Sequence, residues 1–232
     1  LARLLKAQDM DGLQEQTGIP FVHIDAYLAT MDETYAMLGD LLAMPNEAQG
    51  LADYCRAMYD RVKAIADSVD KANILYITGD EGLNVIAQGS YHAEVIDMLA
   101  NNLAVVDEPS SKGTGNEVDM EQILNWNPDV ILFAPNSIYS TVADNENWQT
   151  ITAIKEGKYY EVPFGPYNRM GFPPSVQRLL GMQWMAAVLY PDRIQGMVLM
   201  DPLVTSALTP SALAHRRKYP LLVTVEFLAR ML

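Results

Sequence analysis

The chain has 232 residues, half of them hydrophobic, and its 16 basic and 29 acidic residues give a formal net charge of -13. This length and apolar content suffice to bury a sizeable core, and the negative charge excludes nucleic acid as a partner because it repels phosphate backbones. A single cysteine, Cys55, excludes an internal disulfide and any multi-cysteine metal site, and no apolar run reaches the roughly 18 residues that a membrane helix needs.

The first third of the chain contains one predicted strand and two predicted helices. The stretch "GIPFVHID", residues 18–25, is a short apolar run after a glycine turn and is typical of a strand. Residues 32–44 and 45–68 have helical patterns, and we expect them to form one long, slightly bent rod. Cys55 lies on the apolar stripe of the second helix, which indicates a buried structural thiol.

From residue 73 onward short apolar runs alternate with helical patterns. This alternation predicts an α/β fold, with a mainly parallel sheet flanked by helices. The predicted strands are residues 73–78, 103–107, 129–134 and 158–162, and the predicted helices are residues 92–100, 119–126, 148–156 and 174–189.

The end of the chain, residues 193–232, fits this alternation less well. It contains "TPSALAHRRK", with helix-start residues, and the strongly apolar "LLVTVEFLARML". A packing helix, an edge strand and a dimer contact all agree with this pattern.

The loop of residues 163–172 follows the last predicted strand and enters a helix at a double proline. Loops at the carboxyl ends of parallel strands line the crevice where ligands bind. Arg169 supplies a planar cation suited to oxyanions, and Tyr167 supplies an aromatic face and a hydroxyl. These residues suit an anionic, partly aromatic small ligand, although they also suit a plain connecting loop.

Several motifs, in this order along the chain, resemble one family. They are "GIPFVHID", "EQILNWNPDVILFAP", "WQTITAIKEGKYYEVP" and "YNRMGFPPSVQRLLGMQWMAAVLYPD". Over residues 18–192 the chain resembles the substrate-binding proteins of ABC importers for iron–siderophore, haem or cobalamin complexes. The resemblance implies two α/β lobes joined by a long helix, with the ligand held between the lobes.

The same resemblance implies a division of this chain, which has no initial Met and which we expect to be a piece of a longer protein. Most of the first lobe would then lie outside it. The expected parts are a remnant of the first lobe (1–30), a long inter-lobe helix (31–70), the second lobe (71–192) and a divergent tail (193–232).

The resemblance also implies a binding site without catalytic residues, protein-bound metal or cofactor. The ligand would be a ferric siderophore or a related chelate, with haem and cobalamin as alternatives. The partner would be a membrane permease, and the location extracytoplasmic, either periplasmic or lipid-anchored at the cell surface. The expected ligand contacts are Tyr167, Asn168 and Arg169 of the loop and Ser90, Tyr91 and His92 of the turn after the first strand of the lobe.

Two other interpretations stay open. One is a small α/β enzyme that uses the same crevice, although the Gly-x-Ser-x-Gly motif of a nucleophilic serine fails at Ala93. The other is a truncated oligomerising module without ligand binding, in which apolar surface left by the missing lobe pairs with a second copy to give a homodimer.

Overall fold

The computed structural model describes residues 7–164, 168–171 and 175–194. Within this part of the chain none of the helices is both long and apolar enough to cross a bilayer. The helices are α1 (Ala7–Thr17), α2 (Met31–Leu42), α3 (Pro45–Ala66), α4 (Glu94–Leu99), α5 (Met120–Trp126), α6 (Thr152–Lys155) and α7 (Arg178–Leu189), and the strands are β1 (Asn73–Thr78), β2 (Asn84–Val85), β3 (Asn101–Asn102), β4 (Asn116–Glu117), β5 (Val130–Phe133) and β6 (Tyr159–Glu161).

One mixed sheet organises the α/β part, in the order β4-β2-β1-β5-β6. Strand β1 pairs in parallel with β5 and with β3, and β5 pairs in parallel with β6. Strand β2 runs antiparallel to both β1 and β4. The sequence did not predict β2 or β4, because these two strands have only two residues each. The prediction of an α/β fold with a mainly parallel sheet flanked by helices is confirmed.

The predicted strands differ in how well they match. The strand at 73–78 is confirmed in full, and those at 129–134 and 158–162 are slightly shorter in the structure. The prediction at 103–107 is wrong, because the strand ends at Asn102. The amide of Leu103 still bonds the Ile74 carbonyl at 3.0 Å, but Val105 then bonds the Leu103 carbonyl in a tight turn that carries it into solvent.

The rod predicted at 32–68 is wrong in shape, because α2 and α3 fold back on each other. Ala43 ends α2 in the left-handed conformation, with φ of 55°, and the chain reverses before α3 begins. Arg56 of α3 then reaches the Asp32 carboxylate near the start of α2 at 2.7 Å. At the other end Gly39 lets the two helices approach closely, since a Cβ there would overlap Ala48.

The core has two halves, one on each face of the sheet. Alternate residues of β1 divide between them, with Ile74 and Tyr76 on the face covered by α3, α4 and α7, and Leu75 and Ile77 on the face covered by α5 and α6. Cys55 is buried in the first half, as predicted.

Residues 18–27 form no strand, so the prediction at 18–25 is wrong. The segment finds no neighbouring strand in the described chain, and four of its apolar side chains are exposed, as are three on α2 and that of Met44. We call these side chains the N-terminal apolar surface. It comprises Ile19, Phe21, Val22, Tyr27, Met37, Leu41, Leu42 and Met44.

Candidate functional site

Three parallel strands, β1, β5 and β6, end at one edge of the sheet, which we call the carboxyl edge. Because β1, β5 and β6 run in the same direction, Thr78, Phe133 and Glu161 all lie at this edge. The loops that follow such strand ends form the usual ligand crevice of an open α/β sheet. The segment after β6 is therefore the candidate site, as the sequence predicted.

An exposed aromatic ring stands at the start of this segment. Phe164 is 62% exposed, although it lies only three residues beyond the end of β6. A β-bridge to Asn168 holds its backbone. Sequence analysis missed this residue although it lies in the predicted loop of residues 163–172, because only exposure separates a ring in the core from one that a ligand can cover.

Asn168 faces the protein interior. Its Nδ2 donates to the Tyr76 hydroxyl at 2.9 Å, and its Oδ1 accepts from the Met170 amide at 2.8 Å. Burial raises the pKa of Tyr76, and the bond from Asn168 opposes that rise only in part. The Asn168 amide thus fixes the segment to the central strand β1, and its contact with a ligand stays a prediction.

Arg169 is also buried, with only 2% of its surface exposed. The sequence analysis placed Arg169 in a loop that lines the ligand crevice, whereas in the described chain its side chain is buried. Helix α7 passes so close that a Cβ on Gly181 would lie 2.2 Å from the Arg169 carbonyl oxygen. The glycine in α7 is what allows the segment to pack down. Ligand contact by Arg169 stays a prediction.

His92 joins two loops. Its Nδ1 lies 2.6 Å from the Gly171 carbonyl oxygen and its Nε2 lies 3.2 Å from the Ser111 carbonyl oxygen. The ring thus bridges the Gly171 and Ser111 segments. The contact confirms that the turn at 87–92 lies beside the loop at 163–172, but His92 itself is buried.

Tyr91 belongs to a cluster around a buried arginine that the sequence analysis missed. Arg178, fully buried, pairs with the Glu94 carboxylate, and its Nη2 donates to the Ala26 carbonyl and, at 3.2 Å, to the Tyr91 hydroxyl. The guanidinium also lies 4.7 Å from the centre of the Tyr91 ring. Burial raises the pKa of Glu94, and Arg178 opposes this. The cluster anchors the N-terminal segment to α4 and α7.

Ser90 is the predicted residue that lies in the wall of a cavity. The cavity has a volume of about 300 Å³ and lies between α3, α4 and residues 28–29. The Ser90 hydroxyl is buried and has no hydrogen-bond partner among the described residues. Tyr167, the remaining predicted contact, lies outside the described residues. Within those residues no group of three or more His, Cys, Asp or Glu side chains is arranged to hold a metal ion.

A family model described as "periplasmic binding protein" matches residues 7–165, which are more than half of the chain. The chain belongs to the periplasmic binding protein family. The match spans the helical hairpin, the sheet and the start of the segment after β6, so the family assignment covers the elements that form the carboxyl edge.

Individual family members are similar to this chain over part of their length. The molybdate-binding protein MolA of Haemophilus influenzae is 28% identical over 149 residues, which are 60% of this chain and 40% of MolA. An ABC transporter solute binding protein from Sulfurospirillum deleyianum is 28% identical, with a TM-score of 0.74 over 82% of this chain and 60% of its own. A periplasmic solute binding protein from Veillonella parvula is 26% identical, with a TM-score of 0.68 over 95% of this chain and 66% of its own.

The chain therefore spans between two fifths and two thirds of the length of these relatives. The matching part is an α/β unit with its connecting helices.

Proposed function

We propose that this chain is part of the extracytoplasmic solute-binding component of an ABC importer. It captures a metal chelate and delivers it to a membrane permease, and no bond of the ligand is broken. The observation that carries this proposal is the family match over residues 7–165, which includes the strands and loops of the carboxyl edge. Its location is periplasmic or lipid-anchored at the cell surface.

The exposed ring of Phe164 supports a ligand with an organic shell. An aromatic side chain left in solvent at a sheet edge gains free energy when a ligand removes it from water. A bare oxyanion such as molybdate, the ligand named for MolA, is held instead by hydrogen-bond donors and makes little use of such a ring. A ferric siderophore is therefore the first candidate, with haem and cobalamin next.

Residues 168–171, which lie beyond β6, are suited to act as a firm wall for such a ligand. Asn168 fixes it to β1, His92 ties Gly171 to the Ser111 loop, and Gly181 seats it on α7. A wall that is already ordered loses little conformational entropy when the ligand binds, which favours affinity.

The test uses calorimetric titration of ferric siderophores, haem, cobalamin and molybdate. We would titrate this chain and a chimera that adds the first lobe of the Sulfurospirillum relative, because the chain spans 60% of that protein. At a ligand concentration of about 100 times Kd, binding should stabilise the chimera by about 2.7 kcal/mol. A chimera that folds but binds no member of the panel overturns the proposal.

A matched pair of variants tests the site itself. Phe164→Ala should weaken chelate binding by about tenfold, because it removes aromatic contact worth about 1 to 2 kcal/mol. Leu124→Ala removes another exposed apolar side chain, on α5, and should leave affinity unchanged. Equal affinities of the two variants would remove Phe164 from the site. Preferential binding of molybdate would replace the chelate with an oxyanion.

A further inference from the structure

Two exposed carboxylates lie at the carboxyl edge beside the candidate site. Asp80 and Glu81 belong to the turn between β1 and β2, directly beyond the carboxyl end of β1, and both are exposed. Neither side chain forms an ion pair or a hydrogen bond with another described residue. Both charges are therefore solvated and have no paired cation in the described part of the chain.

Hydrogen bonds across the sheet show how near this turn lies to the exposed ring of Phe164. The Ala134 amide donates to the Ile77 carbonyl at 2.8 Å, and the Val162 amide donates to the Phe133 carbonyl at 2.8 Å. Only β5 therefore separates the ends of β1 and β6, a span of roughly 10 Å because neighbouring strands lie roughly 4.8 Å apart. The two carboxylates and the ring lie within three residues of these ends. One metal chelate can cover this span.

Close packing holds the turn between β1 and β2 at the edge. A Cβ on Gly82 would lie 2.7 Å from the Ile138 side chain and 2.8 Å from the Trp148 ring, so the turn lies against the segment that follows β5. The Gly82 amide also donates to the Gly79 carbonyl at 3.1 Å, which closes the turn. The backbone that carries the two carboxylates is therefore fixed beside the candidate site.

Exposed positive charge is scarce at this edge. Arg169 is the one basic residue in the loop of residues 163–172, and its side chain is buried. Lys112 is exposed in a loop that also bonds the end of β1, but the exposed Asp107 and Glu108 belong to the same loop. The sequence analysis favoured an anionic ligand because of Arg169, and the burial of its side chain removes that reason.

We propose that the carboxyl edge selects a metal chelate with a net positive charge. This inference rests on the proposed function and narrows its ligand. Asp80 and Glu81 attract a cationic group on the organic shell of the chelate. The ring of Phe164 favours the same charge, because the face of an aromatic ring is negative and attracts cations. An anionic chelate instead meets like charges at this edge.

The test uses three ferric chelates that share one organic shell. The ferric complex of desferrioxamine B is a cation, its N-acetyl derivative is neutral, and its N-succinyl derivative is an anion. Calorimetric titration of the 232-residue chain and of the chimera, at low ionic strength, gives the ratio of the affinities for the cation and the anion. Two carboxylates about 10 Å from the ligand charge should contribute about tenfold to this ratio. Added salt should reduce that contribution, because it screens exposed charges.

A matched pair of double variants separates local charge from overall charge. Asp80→Asn combined with Glu81→Gln should lower the affinity ratio by about tenfold. Asp70→Asn combined with Asp192→Asn removes the same charge at the opposite edge of the sheet, where the Tyr190 hydroxyl accepts from the backbone that precedes β1. This second variant should leave the ratio unchanged.

The possible failures are distinguishable. An equal ratio in the two double variants would overturn this inference and leave the proposed function intact. A chimera that binds haem, an anionic chelate, and none of the three complexes would do the same. A chimera that folds but binds no chelate at all would overturn the proposed function and this inference with it.

Discussion

The packing of α7 against the segment after β6 predicts the effect of a single methyl group. Replacing glycine by alanine inside a helix ordinarily stabilises a protein by about 1 kcal/mol. At Gly181 the new Cβ would lie 2.2 Å from the Arg169 carbonyl oxygen and 3.0 Å from its carbon. Backbone atoms cannot rotate away as the end of a side chain can, so either α7 or the segment must move.

The expected magnitude follows from these two opposing effects. Overpacking of this kind costs about 3 kcal/mol, the upper part of its usual range, because both partners are fixed. The gain in helix propensity offsets about 1 kcal/mol of this cost, so Gly181→Ala should lower the free energy of unfolding by about 2 kcal/mol. For a chain of this size that corresponds to a fall in melting temperature of about 4 to 8 °C.

Gly50→Ala is the matched control, because Gly50 also lies inside a helix but a Cβ there would meet no atom within 4 Å. It should raise the melting temperature by about 2 to 4 °C. Thermal unfolding followed by circular dichroism measures both variants. If Gly181→Ala stabilises the protein as much as Gly50→Ala does, α7 does not press on the segment, and the account of the buried Arg169 fails.

Three other variants or probes test separate parts of the structure. Burial raises the pKa of Cys55 to about 11. At mildly alkaline pH the thiolate fraction of the native protein should therefore be about 100-fold below that of the unfolded protein. A thiol reagent should then label the native protein far more slowly than the protein in urea. Because the pKa of Cys55 is higher in the folded than in the unfolded chain, the protonated thiol favours the folded state, and this stabilisation is lost as the pH rises through the folded pKa. Fast labelling of native protein would contradict the burial of Cys55. Arg178→Met should lower the free energy of unfolding by about 3 kcal/mol at neutral pH, because it leaves the Glu94 carboxylate without its cation. The loss should be smaller in acid, where Glu94 is protonated. Urea unfolding at both pH values measures the two losses, and equal losses would show that the charge of Glu94 is irrelevant. If the N-terminal apolar surface joins two copies of the chain, Leu42→Ser should reduce concentration-dependent association in light scattering. A wild-type chain that stays monomeric would remove the homodimer.

Local patterns were enough to predict most of the α/β part. The run at 73–78 is apolar on both sides because β1 is covered on both faces, and such a run can be read without knowing its neighbours. The helical stripe of α3 and the burial of Cys55 followed in the same way. Where an element's own residues determine its burial, periodicity in the sequence was sufficient.

Other features depended on residues far apart in the chain. The strand predicted at 18–25 had suitable letters, but a strand forms only when another strand satisfies its backbone groups, and the described chain offers none there. The prediction of a rod at 32–68 is wrong because Ala43 adopts a left-handed conformation, which an alanine side chain does not favour and which the sequence therefore does not indicate. The two-residue strands β2 and β4 carried too little pattern to be seen.

The same division holds at the site. The sequence alone determined which loop follows the last parallel strand and which residue types it carries, because strand direction and composition are local properties. Only the tertiary structure decided that Phe164 faces solvent while Asn168 and Arg169 turn inward. These orientations depend on the Tyr76 hydroxyl, 92 residues from Asn168, and on the absence of a Cβ at Gly181 in α7. Close packing between distant segments cannot be predicted from the sequence pattern of either segment.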